Sequence, residues 1–179
     1  MLSYIILTII SDDKPGVVEA IAHTVSEHNG NWLESSLAQL SGKFAGVVRA
    51  SVSSDRKSAL IAQLEALSSQ DIHISIELNS NTPPQNKTGT HASFHALGPD
   101  RPGIVRDISH AFSEKNINVE TLTTGISSMP YSGEPLFEAS GKLSLPDSID
   151  IDDIQESLDE IGDELALHIS VKAITADAE

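Results

Sequence analysis

Apolar and polar positions along the chain follow two spacings that alternate in a fixed order. Stretches in which every second residue is apolar predict half-buried strands, and stretches with apolar residues three or four apart predict amphipathic helices. Asp55 precedes the second helix and is expected to cap it. The first half predicts strands at 2–10, 31–40, 44–52 and 72–78, and helices at 15–29 and around Leu60, Leu64 and Leu67.

The same order of elements returns in the second half of the chain. The predicted elements are strands at 91–97, 118–128, 137–145 and 167–171 and helices at 104–112 and 151–165. Each half therefore has the order βαββαβ, which is the ferredoxin-like arrangement. We predict an α+β protein of two ferredoxin-like βαββαβ domains, each an antiparallel four-stranded sheet with two helices on one face.

An Asp-x-Pro-Gly motif marks the repeat. Asp13-Lys14-Pro15-Gly16 follows the first predicted strand, and Asp100-Arg101-Pro102-Gly103 follows the fifth, 87 positions later. The segment between the repeats has no large apolar residue and contains Asn, Thr, Pro and Gly, which is typical of a linker. We predict a first domain at 1–78, a linker at 79–89 and a second domain at 90–174.

The two copies differ in two surface features. The second β-hairpin is six residues longer around residues 129–135, and such an extension is a place where function can be added. The face of the first strand that points away from the helices carries Ile6 and Ile10 as well as Tyr4 and Thr8 in the first copy. In the second copy it carries His91, Ser93, His95 and Leu97. We infer that the first sheet's back is covered, either by the second repeat or by another chain.

Each Asp-x-Pro-Gly motif predicts the end of a strand, a sharp turn and the start of a helix. Proline costs no hydrogen bond at the first helical position, and glycine leaves the backbone open to close approach. A free amino acid needs N–H donors for its carboxylate and an acceptor for its ammonium group. The helix-start amides can donate and the aspartate can accept. The predicted donors are the amides around Gly16, Val17, Gly103 and Ile104, and the predicted acceptors are Asp13 and Asp100.

Two asparagines extend this predicted ligand set. Asn31 and Asn118 lie 16 residues beyond each proline and open the second strand of each repeat, where we expect them beside the turn. An asparagine side chain offers both a donor and an acceptor. Lys14 and Arg101, the variable residues of the motifs, complete the set. The alternative is structural: the aspartate caps the helix, Pro-Gly shapes the turn and the asparagine closes the helix–strand corner.

Composition narrows the classes of function. The chain of 179 residues is 39% hydrophobic and 21% charged, as folded proteins are. Its net charge is −15, most of it in residues 90–179, so direct binding of nucleic acid is not expected. The absence of cysteine excludes disulfides and thiolate catalysis and fits a cytoplasmic protein. The apolar start, residues 2–10, is too short to span a membrane, so no membrane partner is expected.

No motif in the sequence predicts a metal, a cofactor or catalysis. His91 and His95 would lie roughly 13 Å apart on a strand, too far for one metal ion. The acidic residues of 150–164 follow helical spacing without the glycine of a calcium loop. We therefore expect no catalytic residue, no metal site and no cofactor, and we interpret this helix face as a solvated surface whose charge can steer a basic partner.

The two turns, each with its following asparagine, resemble those of the ACT domain family, which has a βαββαβ fold. The resemblance covers nearly the whole chain, twice over. A free-standing tandem pair of this length resembles the glycine cleavage system transcriptional repressor family. The stretches that carry this second resemblance are residues 11–18, 31–36 and 98–105.

The resemblance implies a non-enzymatic regulatory protein that senses an amino acid, with glycine first among the candidates. The ligand would bind at the turn-plus-asparagine sites or at an interface between ACT units. The resemblance also implies repression through a partner transcription activator rather than through direct DNA contact, and a homodimer. The alternative is a protein-interaction module that tunes a metabolic enzyme without binding a ligand. An enzyme is the third possibility. A small hydrolase of this fold would need an arginine and an asparagine around a phosphate-binding loop, and Arg101 alone does not make such a site.

Overall fold

The computed structural model describes residues 1–79, 90–146 and 148–174 and divides the chain into two compact units, Met1–Gln85 and Asn86–Glu179. Of the predicted linker, residues 80–89 lie outside the described residues. The domain limits 1–78 and 90–174 stay a prediction. No helix in the described part of the chain is long and apolar enough to cross a membrane.

The first unit is a four-stranded antiparallel sheet with its helices on one face. The strands lie in the order β2-β3-β1-β4, so that β1 and β3 are central and β2 and β4 form the edges. The elements are β1 (Leu2–Asp12), α1 (Val17–Glu27), β2 (Asn31–Leu40), β3 (Lys43–Ser53), α2 (Lys57–Ala66), a 3₁₀ turn (Leu67–Gln70) and β4 (Ile72–Asn79).

The second unit repeats this architecture with the strand order β6-β7-β5-β8. The two sheets and their helices confirm the predicted fold class, α+β with two ferredoxin-like βαββαβ units. The elements are β5 (Thr90–Pro99), α3 (Ile104–Glu114), β6 (Asn118–Ser128), β7 (Pro135–Leu145), α4 (Ile151–Leu165) and β8 (His168–Ala173).

Each unit has its own core between the sheet and the helices. In the first core Ile5, Leu7 and Ile9 of β1 are almost fully buried against α1 and α2. In the second core the same strand positions are Ala92, Phe94 and Ala96. The alternation of apolar residues along the strands predicted these inward faces, because successive side chains of a strand point to opposite sides.

The longer hairpin of the second unit is confirmed. The first hairpin turns through Ser41 and Gly42, both with positive φ. In the second, six residues separate β6 from β7, and Tyr131 at its tip is fully exposed with a φ of 74°. Left-handed backbone is unfavourable for a residue with a Cβ atom.

Two expectations about the helix starts are wrong. The helix after the first turn begins at Val17 rather than at Pro15, because Gly16 takes a left-handed conformation that a helix does not continue from. Asp55 does not cap α2, whose first flanking residue is Arg56. The Asp55 carboxylate instead has its pKa lowered by a hydrogen bond with Ser53.

Replacing Gly141 with alanine tests the packing of the second sheet. A methyl group there would lie 2.0 Å from the carbonyl oxygen of Thr121 and 2.7 Å from Cε1 of Phe94. Both neighbours belong to the packed sheet, so we expect Gly141→Ala to lower the free energy of unfolding by about 1–3 kcal/mol. Urea denaturation followed by far-UV circular dichroism measures this, since the single tryptophan, Trp32, reports only on the first unit.

Gly125→Ala is the matched control, because Gly125 lies on the neighbouring strand and a methyl group there meets nothing within 4 Å. We expect its effect to stay within about 0.5 kcal/mol. Equal losses of stability in the two variants would contradict the steric explanation.

Candidate functional site

The two Asp-x-Pro-Gly turns have nearly the same backbone geometry. Gly16 and Gly103 have φ values of 95° and 99°, and the helices α1 and α3 begin at the next residue. The first helical hydrogen bonds run from Ala20 N to Gly16 O and from Asp107 N to Gly103 O. Helix geometry therefore leaves the three N–H groups before each of these donors without an acceptor inside the helix. These amides are the predicted donors for a carboxylate.

The aspartates of the turns are anchored by their backbone and not by their side chains. The amide of Asp13 donates to Gly42 O at 2.9 Å, and that of Asp100 donates to Pro135 O at 3.0 Å. Both bonds tie the turn to the neighbouring hairpin, and both aspartates are exposed. Within the described residues neither helix has a side-chain cap, so the structural alternative in which the aspartate caps the helix is wrong.

Lys14 contacts the end of the 3₁₀ turn that follows α2, and Arg101 contacts the end of α4. Lys14 Nζ donates to Gln70 O at 2.7 Å, and Arg101 Nη2 donates to Glu164 O at 3.1 Å. Both acceptors lie where a helix ends, and cations are favourable there because the last carbonyls carry partial negative charge. The two cations thus have the same structural role in both units, and sequence reasoning placed them in the ligand set without seeing these acceptors.

The asparagines do not lie beside the turns. Asn31 is paired with Ser51, which is paired with Tyr4 near the start of β1, whereas the turn follows Asp12 at its end. The eight residue-to-residue steps from Tyr4 to Asp12 span about 26 Å. The expected placement is therefore wrong, and the turn and asparagine of one unit cannot hold the same small amino acid.

The second unit shows the same separation. Asn118 is paired with Ser144, which is paired with His91, while the turn follows Pro99 at the other end of β5. The predicted ligand residues of each unit thus fall into two groups at opposite ends of a sheet. A ligand-binding role of either group stays a prediction.

Sequence reasoning missed a carboxylate at each helix start. Glu19 lies in the first turn of α1 and Asp107 in the first turn of α3. Asp107 forms an ion pair with Arg106 at 2.7 Å, and this contact holds the pKa of the Asp107 carboxyl below its usual value. A negative side chain near a helix N-terminus is favourable by itself. It also repels a ligand carboxylate, and in the second turn Arg106 offsets that repulsion.

Two histidines on the face of the second sheet that points away from the helices contact carboxylates. His91 Nδ1 lies 3.3 Å from Glu120 Oε2, and His95 Nε2 lies 2.9 Å from Glu138 Oε1. Throughout residues 1–79, 90–146 and 148–174, no group of three His, Asp or Glu side chains could hold a metal ion.

The chain is similar to known proteins in sequence over its first half and in fold over its whole length. The family model described as ACT domain matches residues 3–77. No curated protein matches the sequence significantly. An unknown protein from Galdieria sulphuraria superimposes with a TM-score of 0.81 and 21% identity, over 98% of this chain and 100% of that one.

A second solved structure is that of a candidate glycine cleavage system transcriptional repressor. It superimposes with a TM-score of 0.72 and 16% identity, over 98% of this chain and 99% of that one. At these identities the likeness shows the fold. Residues 3–77 therefore match an ACT domain, and the second unit repeats the same βαββαβ fold.

Proposed function

We propose that the chain is a non-enzymatic regulator that senses a small free amino acid at its Asp-x-Pro-Gly turns. The observation that carries the proposal is the juxtaposition of an exposed aspartate with unpartnered helix-start amides in each turn. The amides suit a carboxylate and the aspartate suits an ammonium group, as a zwitterion requires. Hydrogen bonds to charged groups contribute roughly 1.5–3 kcal/mol each.

Glycine is the amino acid that we propose as the signal. The support is the likeness in fold to a candidate glycine cleavage system transcriptional repressor, together with the match of residues 3–77 to the ACT domain. The regulatory output that we propose is repression in the cytoplasm through a partner transcription activator. The strong negative charge of residues 90–179 supports a protein partner rather than direct contact with DNA.

A protein-interaction module that tunes a metabolic enzyme is the second candidate. The observation that favours it is the pair of carboxylates at the helix starts, because Glu19 and Asp107 already provide negative charge where a ligand carboxylate would bind. The acidic outer face of α4 would then serve as the contact surface for a basic partner.

Removing the two turn carboxylates tests the sensing proposal. We expect Asp13→Asn/Asp100→Asn to weaken glycine binding by about 1.5–3 kcal/mol, which is roughly tenfold to more than a hundredfold. The amide keeps the shape of the side chain but loses the charge that holds an ammonium group. Isothermal titration calorimetry with glycine measures the change.

Asn31→Ala/Asn118→Ala is the matched control, because both asparagines lie at the far ends of the sheets. We expect this variant to bind glycine at the turns as the wild type does. A loss of binding confined to the asparagine variant would move the ligand away from the turns. A wild type that binds none of the twenty amino acids would favour the interaction module.

Neutralising Glu19 tests the electrostatics of the first turn. We expect Glu19→Gln to strengthen glycine binding by about 0.3–1 kcal/mol, since a negative charge within the first helical turn is removed from beside the ligand carboxylate. Calorimetry in the Asp100→Asn background isolates this turn. Glu27→Gln, at the other end of α1, is the control and should leave the affinity unchanged. Equal effects of the two changes would contradict a ligand at the helix start.

A further inference from the structure

Two lysines flank one serine on the face of the second sheet that points away from the helices, which we call the second open face. Ser93 of β5 is paired with Lys142 of β7 on one side and with Lys172 of β8 on the other. Because directly paired residues of an antiparallel sheet share a face, the three side chains form one row across it. Neighbouring strands lie about 4.8 Å apart, so the two lysine Cα atoms are separated by about 10 Å.

The two lysines have no counter-ion on the second open face. The nearby carboxylates are already in contact with histidines, since Glu120 lies 3.3 Å from His91 and Glu138 lies 2.9 Å from His95. Within the part of the chain that the structure describes, neither lysine of the row forms an ion pair. Both lysines are exposed, so their ammonium groups are accessible to an anion from solvent.

The serine between the lysines has a hydroxyl group that is almost unused. Ser93 Oγ lies 3.5 Å from the carbonyl oxygen of Lys172, which is the outer limit of a hydrogen bond. A hydroxyl group can donate to an oxygen of an anion. Lysine carries its charge on a flexible four-carbon stem, so both ammonium groups can lean over the serine. The row therefore offers two cations and one hydroxyl donor to a single ligand.

The first unit has no such row, and this provides an internal comparison. The positions equivalent by register to those of the serine and the two lysines hold Ile6, Arg49 and Glu77. Arg49 is compensated by Glu34, whose Oε1 lies 3.0 Å from Nη1. The same fold thus forms with an apolar centre, a paired cation and a carboxylate in this row. Folding therefore does not require the serine and the two unpaired lysines of the second unit.

The row is also unusual in the charge distribution of the second unit. The cationic side chains of residues 90–179 are Arg101, Arg106, Lys115, Lys142 and Lys172. Both arginines already bind an acceptor, namely Glu164 O and Asp107 Oδ1. The exposed carboxylates of α4 lie on the other side of the sheet, behind a helix about 10 Å in diameter. Salt screens charges beyond about 8 Å at physiological ionic strength, so these carboxylates weaken anion binding on the second open face only slightly.

A phosphate group has the charge and the acceptors that this row requires. It carries a charge of about −1.5 to −2 near neutral pH and has three strong acceptor oxygens. Two of these oxygens suit the two ammonium groups and the third suits the hydroxyl group, whereas a single carboxylate would neutralise only one lysine. A long polyanion would extend over Glu120 and Glu138 beside the row and be repelled there. The row therefore favours a small ligand.

We infer that the second open face binds a small phosphorylated molecule, with Lys142 and Lys172 on its phosphate group and Ser93 Oγ as a hydrogen-bond donor to it. The site is separate from the Asp-x-Pro-Gly turn of the same unit, because the seven residue-to-residue steps from Ser93 to Asp100 span about 23 Å. The inference goes beyond the proposed sensing of an amino acid and does not depend on it.

Nuclear magnetic resonance titration of the ¹⁵N-labelled full chain tests the site. Inorganic phosphate and glycerol 3-phosphate are added separately, at an ionic strength held constant with sodium chloride. We expect saturable shifts of the backbone amides of Ser93, Lys142 and Lys172 and of their neighbours. Tighter binding of glycerol 3-phosphate would identify a phosphate ester as the ligand class, and tighter binding of inorganic phosphate would identify the free anion.

A matched pair of double variants separates the site from long-range charge effects. In Lys142→Gln/Lys172→Gln the dissociation constant should rise roughly tenfold or more, because two charged donors are lost. Lys57→Gln/Lys115→Gln changes the net charge by the same amount at the start of α2 and after α3, and we expect it to leave the affinity unchanged. Circular dichroism checks that each variant is folded.

Three outcomes would overturn the inference. The first is the absence of saturable shifts on the second open face up to about 20 mM of either phosphate compound. The second is an equal loss of affinity in the two double variants, which would show that only the net charge matters. The third is a loss of phosphate binding in Asp13→Asn/Asp100→Asn, which would place the anion at the turns. A failure of the chain to bind amino acids leaves the phosphate titration unaffected, so the two proposals are tested separately.

Discussion

The antiparallel register of the central strands with their neighbours decides which residues of each unit can act together. β1 and β2 each pair with β3 in the antiparallel sense, so they run in the same direction and α1 carries the chain back along the sheet between them. The helix that begins at the Asp-x-Pro-Gly turn therefore ends at the opposite end of the strands. This constraint separates Asp13 from Asn31 and Asp100 from Asn118, although each pair is only 18 positions apart in the sequence.

Within that frame the two turns are built by several small contacts that act together. The helix begins directly after the left-handed glycine, so its first amides have no acceptor within the helix, and the aspartate amide fixes the turn to the adjacent hairpin. Lys14 then joins its turn to the end of the 3₁₀ turn after α2, and Arg101 joins its turn to the end of α4. Each bond is modest by itself, at about 1 kcal/mol for a neutral pair and more for a charged donor. These contacts do not use the carboxylate of the exposed aspartate or the first amides of the helix.

The sequence predicted the regular elements well and the local contacts poorly. Apolar periodicity identified each strand and helix, because one face of every element packs into a core. It could not place the start of α1 at Val17, since the left-handed conformation of Gly16 is a property of one residue and not of a period. Asp55 was assigned as a cap from its residue type, but α2 has Arg56 at that position and no side-chain cap. Of the candidate site, the turns were found from their motif, whereas the acceptors of Lys14 and Arg101 required the packing of distant segments.

The comparison of the two repeats separates what folding demands from what it leaves open. Inside the cores a larger residue in one strand is matched by a smaller one in the next. Phe94 lies where the first unit has Leu7, and its neighbour Gly141 lies where the first unit has Val48. The ring of Phe94 lies over Gly141 so closely that a methyl group there would meet it at 2.7 Å. Such paired changes conserve volume, as close packing requires. On the sheet faces that point away from the helices no compensation of this kind is needed. Ile6 and Ser93 occupy equivalent positions there, and each fits an otherwise equivalent sheet. Folding therefore does not determine the residue type at those positions. A difference between the repeats there reflects what each surface contacts.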